Sequence, residues 1–279
     1  IGANNIALGT SSLTSNIGGN FNIGIGQKSL MTNTVGESNI GVGSQALQNN
    51  ISGSYNVGLG FDALRFNTAG NHNVGVGLYA LSKNTVGMSN VGLGHSALSN
   101  NTIGSHNVGL GTNALTKNTT GNYNVGIGNA TLTNNAAGMA NVAIGNLSLV
   151  SNNGGNYNVA VGNEALGSNT SGAYNIALGT STLTSNTTGQ HNNAQGLNAL
   201  QSNTVGNNNI ALGNGSGGWV KGHNNIHIGS ANFQSISTGE LDNVIAIGNG
   251  IGSGALTTAN SNDNTIILGH QNGHSFSPN

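Results

Sequence analysis

The sequence predicts an all-β parallel β-solenoid built from 17-residue coils, and three observations support this fold class. A motif recurs at one fixed period, and each repeat contains a short alternation of branched apolar and very small residues. Glycine supplies 48 of 279 residues, whereas apolar residues reach 35% and aromatic residues 4%, too few for a thick globular core. A net charge of −1 and one proline argue against disorder.

Each coil is counted from the asparagine of an Asn-apolar-Gly/Ala-apolar-Gly string, which is called position 1 here. Thirteen such asparagines follow one another without insertion, from Asn5 to Asn209. Position 5 is always Gly, position 9 always Leu and position 12 always Asn, and position 15 is Gly in all twelve complete coils. Equivalent residues of successive coils are therefore expected to stack about 4.8 Å apart.

Positions 2 to 4 have the period-two pattern of a strand, as in Val57-Gly58-Leu59. We expect positions 2 and 4 to face the interior of the coil and the Gly or Ala at position 3 to face outward. Positions 8 and 9 are expected to form a second short strand that returns Leu to the interior. The glycines at positions 5 and 15 mark two corners, where the asparagines at positions 1 and 12 form ladders from coil to coil.

A single chain is expected to be only marginally stable, because about three sizeable apolar side chains oppose the backbone entropy of a whole coil. The Gly/Ala column at position 3 would form a smooth outer surface that suits close packing around a symmetry axis. We therefore expect a homotrimer. The alternative is a monomeric solenoid whose Gly/Ala face is solvated.

The repeat strings are similar to those of known fibrous proteins. Asn141-Val142-Ala143-Ile144-Gly145 and the string 175–179 resemble the repeats of trimeric autotransporter adhesin heads, while 119–128 (TTGNYNVGIG) looks more like repeats of bacteriophage tail fibres and related virion fibres. The resemblance covers residues 1 to about 229 and implies a left-handed β-roll assembled as an intertwined or side-by-side homotrimer. The adhesin period is usually shorter, which favours the viral fibre.

Charge and composition argue against several classes of function. Five basic residues against six acidic residues provide no basic stripe for nucleic acid. No stretch approaches 18 apolar residues, so no membrane-spanning segment is predicted. The acidic residues are scattered and no nucleophile lies beside a general base, so we expect neither an enzyme nor a cofactor or metal.

Aromatic and histidine side chains recur at position 17 and form an interrupted stripe. Rings at coil spacing could bind sugars, or they could simply stack on one another beside the turn. His72 and His106 are two coils apart with Ser89 between them, which disfavours a shared metal. The stripe comprises Phe21, Tyr55, His72, His106, Tyr123, Tyr157, Tyr174 and His191.

A threonine column at position 13 is reminiscent of ice-binding solenoids. It is interrupted, as by Ile17 and Ala136, and it lies next to a turn, so a hydroxyl ladder is the preferred interpretation. One coil also departs from the apolar pattern, with Asn193 and Gln195 at positions 2 and 4. We expect these amides to form a polar core layer that is satisfied internally, or alternatively to bind an ion.

The repeat becomes irregular near the end of the chain, so we predict a regular shaft over 1–213 and a cap or tip with longer loops over 214–279. Varied aromatic and charged groups on such loops suit recognition, although terminal coils also serve as caps. The candidate ligand-binding residues are Trp219, Lys221, His223, Phe233, Glu240 and Asp242.

Together these features predict a structural and adhesive fibre segment. The preferred interpretation is a phage tail fibre on the virion that contacts other fibre or virion proteins and attaches to a host-surface glycan. The alternatives are a bacterial trimeric surface adhesin and an extracellular ice-binding filament.

Overall fold

The computed structural model describes residues 2–233, 241–251 and 264–269, and the chain divides into two compact units, Ile1–Ala140 and Asn141–Asn279. The described residues form short strands joined by turns, with no helix. The strands of the first unit are Ile6–Leu8 (β1), Ile23–Ile25 (β2), Ile40–Val42 (β3), Val57–Leu59 (β4), Val74–Val76 (β5), Val91–Leu93 (β6), Val108–Leu110 (β7) and Val125–Ile127 (β8). Those of the second unit are Val142–Ile144 (β9), Val159–Val161 (β10), Ile176–Leu178 (β11), Asn193–Gln195 (β12), Ile210–Leu212 (β13), Ile226–Ile228 (β14), Val244–Ile247 (β15) and Thr265–Leu268 (β16).

Within each unit, every strand pairs in parallel with the next strand in the sequence. Val57 lies opposite Val74, and Val159 lies opposite Ile176, so one turn of the chain advances the sheet by one 17-residue repeat. The predicted parallel β-solenoid of 17-residue coils is therefore confirmed.

The predicted orientation of the strands is wrong. The residue at position 3 is buried in every strand from β2 to β14. It is Gly or Ala in β2 to β13 and His227 in β14. The aliphatic side chains at positions 2 and 4 of the same strands are only half-buried or exposed. Position 3 therefore faces the interior of the coil, and positions 2 and 4 form its outer surface.

The width of the interior explains this orientation. The Leu at position 9 is fully buried, as in Leu47 and Leu64, and reaches across the coil towards the strand. A Cβ added to Gly58 would lie 3.3 Å from Cγ of Leu47 and 3.2 Å from the carbonyl oxygen of Ala63. Where the preceding coil carries this leucine, only hydrogen or a methyl group fits at position 3, so the core of the regular coils is a column of leucines against Gly or Ala.

The predicted second strand at positions 8 and 9 is instead part of a turn that covers positions 6 to 11. Positions 7 and 9 both have positive φ, as in Asp62 (56°) and Leu64 (52°), which is unfavourable for Leu. Hydrogen bonds between coils compensate this strain: the amide of Leu64 donates to Ala80 O at 2.9 Å and that of Asp62 to Ser44 O at 3.1 Å.

The two corners and the two asparagine ladders lie where the sequence predicts them. Asn56 and Asn67, at positions 1 and 12, both donate from Nδ2 to Gly70 O, at 2.8 and 3.0 Å. Each amide also bonds the equivalent asparagine of the preceding coil, Asn39 at 3.1 Å and Asn50 at 2.8 Å. All four asparagines are fully buried and satisfied, so the ladders are the polar framework of the coil.

Coil length changes after Asn209. Ile210 pairs with Ile226, Ile226 with Ile245 and Ile245 with Ile266, so successive coils contain 16, 19 and 21 residues. Strand pairing therefore continues while the connecting segments vary. The division of function between 1–213 and 214–279 stays a prediction.

Candidate functional site

An outer aliphatic face, defined as the side chains at positions 2 and 4, runs along the strands of each unit. In the first unit Leu93 and Leu110 are exposed, and Val57 and Val74 are half-buried. In the second unit Ile144 and Ile176 are exposed. Because a pair of aliphatic side chains recurs in every coil but that of β12 and no charge interrupts them, this face is suited to association with another apolar surface.

The position-17 rings stack on their neighbours. Tyr55 and His72 have centroids 5.0 Å apart and an interplanar angle of 1°, and His106 and Tyr123 are 4.9 Å and 2° apart. In the second unit Tyr174 stacks on Tyr157 at 5.0 Å and on His191 at 4.9 Å. The stacked faces are covered by neighbouring rings, so a sugar could approach only ring edges or the ends of the stacks. Phe21 is exposed, and sugar binding by the stripe stays a prediction.

Asn193 and Gln195 do not form a core layer. They occupy positions 2 and 4 of β12 and therefore lie on the outer face, where Gln195 Nε2 donates to Asn193 Oδ1 at 3.1 Å. Ala194 between them is the buried residue. The two amides are thus a polar interruption of the outer aliphatic face of the second unit.

Two of the predicted tip residues are exposed and two have structural roles. Trp219 is 53% exposed, and Lys221 is also exposed. The backbone amide of Asn207 donates to Nδ1 of His223 at 3.1 Å, and the backbone amide of His223 donates to Oδ1 of Asp242 at 2.6 Å. His223 and Asp242 thereby continue a ladder that side chains at position 16 form in other coils, as in Ser54 N to Asn71 Oδ1 at 2.8 Å.

Phe233 is not part of an exposed surface, because it is fully buried and occupies the position of the core leucine in its coil. It packs edge-on against His227, with ring centroids 5.1 Å apart. Glu240 lies outside the described residues. Of the predicted tip, Trp219 and Lys221 therefore remain as accessible side chains.

His227 is a buried residue that the sequence reasoning did not single out. It occupies position 3, and neither ring nitrogen has a hydrogen-bond partner among the described residues. Burial lowers the pKa of His227 from 6.5 to about 4, so the ring is neutral at physiological pH. The sequence signal was present: His227 is the only side chain larger than Ala at this position from Ala7 to His227.

The threonine column is a hydroxyl ladder. Thr68 Oγ1 donates to Thr85 O at 3.0 Å, and Thr85 Oγ1 donates to Thr102 O at 2.9 Å. These hydroxyl hydrogens are therefore used by the main chain of the next coil rather than presented to solvent.

A polar and aromatic cluster on the turns of the first unit was also missed. Asp62 and Arg65 form an ion pair, at 3.1 Å between Oδ2 and Nη1, beside the exposed rings of Phe61 and Phe66. Charged residues are only 4% of the chain. Two residues of opposite charge, three positions apart in one coil, could therefore have indicated this cluster from the sequence. The cluster also includes Gln45 and Gln48, which hold the same two positions in the preceding coil.

Comparison with known proteins gave no assignment: neither protein-family models nor curated proteins matched the chain. The described ranges contain no helix with the length and apolar character that crossing a bilayer requires.

Proposed function

We propose that the chain is a structural and adhesive segment of a homotrimeric fibre of the phage tail-fibre type, which attaches a virion to glycans on the host surface. The observation that carries this proposal is the outer aliphatic face. Every regular coil except that of β12 presents two aliphatic side chains outward, while its interior holds a single leucine column. A periodic apolar surface is thus available to a partner.

The periodicity of this face favours copies of the same chain as the partner. A second copy aligned along the same axis offers an equivalent aliphatic pair at every coil, so the same contact recurs along the interface. Full burial of a Val, Ile or Leu side chain is worth about 1.5–3 kcal/mol, and these side chains are already partly covered. Summed over many coils, the remaining gain stabilises an assembly of thin coils.

The number of copies comes from the resemblance of the repeat strings to trimeric fibres. Three chains around one axis bring three aliphatic faces together and bury them from all sides. The corners and turns then form the outside of the fibre, where attachment takes place. Contacts with other virion proteins and localisation on the virion are part of the same proposal.

The test of assembly is the solution mass of the purified chain by light scattering and sedimentation. We expect three protomers. Leu93→Glu places a charge on the outer face and should reduce the mass to one protomer, while Thr120→Glu, at an exposed turn position, should leave three. A single-protomer mass for the unmodified chain would overturn the proposal.

The test of attachment is binding of the same preparation to an array of immobilised oligosaccharides. We expect the unmodified chain to bind at least one group of glycans. Trp219→Ala should weaken binding if the exposed surface around Trp219 is used. Absence of binding to every glycan, from a preparation with the expected mass, would remove attachment but retain the fibre assembly.

A further inference from the structure

The Asp62–Arg65 pair lies in an unusually polar part of the turn face. Nη1 of Arg65 bonds Oδ2 of Asp62 at 3.1 Å, and the Arg65 guanidinium also lies over the Phe66 ring, 4.8 Å from its centroid. Asp62 is only 7% exposed, whereas the Arg65 side chain is 32% exposed. The carboxylate is therefore buried beneath a more exposed cation.

Gln45 and Gln48 extend this arrangement by one coil. They occupy the positions of Asp62 and Arg65, and both turns close through the same backbone hydrogen bond, Gln48 N to Gln45 O at 3.2 Å and Arg65 N to Asp62 O at 3.3 Å. The coils are joined directly by Asn49 N to Arg65 O at 2.9 Å. Four polar side chains thus occupy two columns in two adjacent coils.

One polar atom of each of these four side chains is buried and unpartnered. They are Gln45 Oε1, Gln48 Oε1, Asp62 Oδ1 and Arg65 Nε, and they account for four of the seven such atoms among the described residues. Buried polar groups are normally hydrogen-bonded, because leaving them unpaired costs free energy. Three acceptors and one donor are therefore left without a partner, and because these atoms are buried, a ligand reaches them only when the surrounding side chains rotate outward.

Aromatic rings flank the polar group. Phe61 is 43% exposed and Tyr79 39% exposed, and their rings meet edge to face with centroids 5.7 Å apart. Tyr79 also meets His95 edge to face at 6.3 Å. Aromatic faces beside hydrogen-bonding groups suit a ligand with one apolar and one polar side.

We propose that Gln45, Gln48, Asp62, Arg65, Phe61 and Tyr79 form a lateral binding site for a neutral sugar ring. The hydroxyl groups of the sugar donate to the three unpartnered oxygens and accept from Arg65 Nε, and its C–H face packs on the aromatic rings. A ligand hydroxyl reaches Asp62 Oδ1 when the more exposed Arg65 side chain turns aside while keeping its ion pair with Oδ2.

The charges select the class of ligand. Asp62 and Arg65 balance one another, so an acidic sugar would meet the carboxylate without a free cation to offset it. A metal ion would meet the guanidinium that already occupies Oδ2 of Asp62. The inference rests on the proposed glycan attachment and places it on the side of the first unit instead of at Trp219.

The experiment uses the full chain on an array of neutral oligosaccharides of hexoses and N-acetylhexosamines, with sialylated and sulfated sets in parallel. Asp62→Asn and Phe61→Ala should each weaken binding of neutral glycans at least tenfold. Glu164→Gln is the matched control. Glu164 holds the position of Asp62 in another coil, where Gly167 stands at the position of Arg65, so this substitution should leave binding unchanged.

Gln45→Met and Gln48→Met separate binding from folding. Each removes an unpartnered oxygen at nearly constant shape, so the thermal midpoint of unfolding should stay equal or rise. Affinity should nevertheless fall at least fivefold. Variants that lose affinity and stability together would indicate a purely structural cluster and overturn the site.

The remaining outcomes are also decisive. Retention of full affinity by the Asp62 and Phe61 variants, with loss in Trp219→Ala, would overturn the lateral site and leave glycan attachment intact. Binding of the acidic sets alone would overturn the neutral-sugar assignment. Absence of any glycan binding, with only ordered water at the four atoms in a crystal structure, would overturn both the site and attachment.

Discussion

Gly217 and His227 replace, as a pair, the leucine and the small residue that face each other in regular coils. A Cβ added to Gly217 would lie 3.0 Å from Cδ2 of His227 and 3.2 Å from Cδ2 of Leu200. The imidazole therefore occupies volume that the missing leucine side chain leaves free. Gly217 has φ of 59°, close to the 48° of Leu200, so the backbone retains the conformation of a core leucine.

This relationship predicts strong coupling between two substitutions. Gly217→Leu alone should destabilise by about 1–3 kcal/mol through overpacking. His227→Ala alone leaves a cavity and should also destabilise. The double variant restores the regular pair, removes two unpartnered nitrogens and should be at least about 1 kcal/mol more stable than the unmodified chain. A double-mutant cycle of urea unfolding measures the coupling, and additive effects would contradict the shared volume.

His227 also predicts a pH dependence of stability. The unfolded chain protonates this imidazole below about pH 6.5 and the folded chain only below about pH 4. Between these values the unfolded state binds more protons, so stability is intact above pH 6.5 and falls by about 3 kcal/mol as the pH drops to 4. Urea unfolding at pH 7 and pH 4 checks this. His227→Leu in the Gly217→Ala background should lose this component, whereas the exposed-stack variant His191→Asn should retain it.

The buried asparagine ladder predicts a large effect from a single amide. Asn67 donates to Asn50 Oδ1 and Gly70 O, and it accepts from Asn84 Nδ2 at 2.8 Å. Asn67→Ala leaves the buried Asn50 Oδ1 without a partner, which costs about 1–3 kcal/mol. It also removes one of two hydrogen bonds from Gly70 O and from Asn84 Nδ2, which keep their bonds to Asn56 Nδ2 and Gly87 O. Asn49→Ala, at a partly exposed turn position, should change the free energy of unfolding by less than about 0.5 kcal/mol. Equal effects from the two variants would contradict the structural role of the ladder.

The end of the position-12 ladder predicts a stabilising substitution. Val220 holds the asparagine position of its coil, and Oδ1 of Asn203 in the preceding coil is buried and unpartnered. Val220→Asn should donate to this oxygen and raise the free energy of unfolding by about 1 kcal/mol. Val220→Ala is the control that removes the side chain without supplying a donor and should be destabilising. A destabilised Val220→Asn variant would show that the ladder cannot be extended by one coil.

Asn193 and Gln195 predict a change in assembly, because they lie on the outer face. Asn193→Ile with Gln195→Leu completes the aliphatic columns and should raise the thermal midpoint of the assembled fibre. The reciprocal control, Ile176→Asn with Leu178→Gln in the preceding coil, should lower it. If both pairs of substitutions left the midpoint and the solution mass unchanged, the outer face would not be an interface.

The 17-residue repeat could be recognised in the sequence because each invariant position is fixed by local backbone conformation or by a close contact between coils. Gly60 has φ of 129°, which only glycine adopts readily, and a Cβ at Gly70 would meet the carbonyl oxygen of Gly87. The asparagine ladders follow from the same periodicity, since equal residues stacked at coil spacing can bond one another. The candidate site at Asp62 was not found, because only the structure shows that one polar atom of each of its four polar residues is buried without a partner.

The sequence by itself determined the period, the corners, the ladders and the fact that positions 2 and 4 share one side of the strand while position 3 lies on the other. Only the tertiary structure decided which side is inside. Alternation with period two is symmetric and does not distinguish a buried face from an exposed one. The distinction arises because the turn carries a leucine across a narrow interior, as Leu47 does towards Gly58, and leaves room there for only a hydrogen or a methyl group.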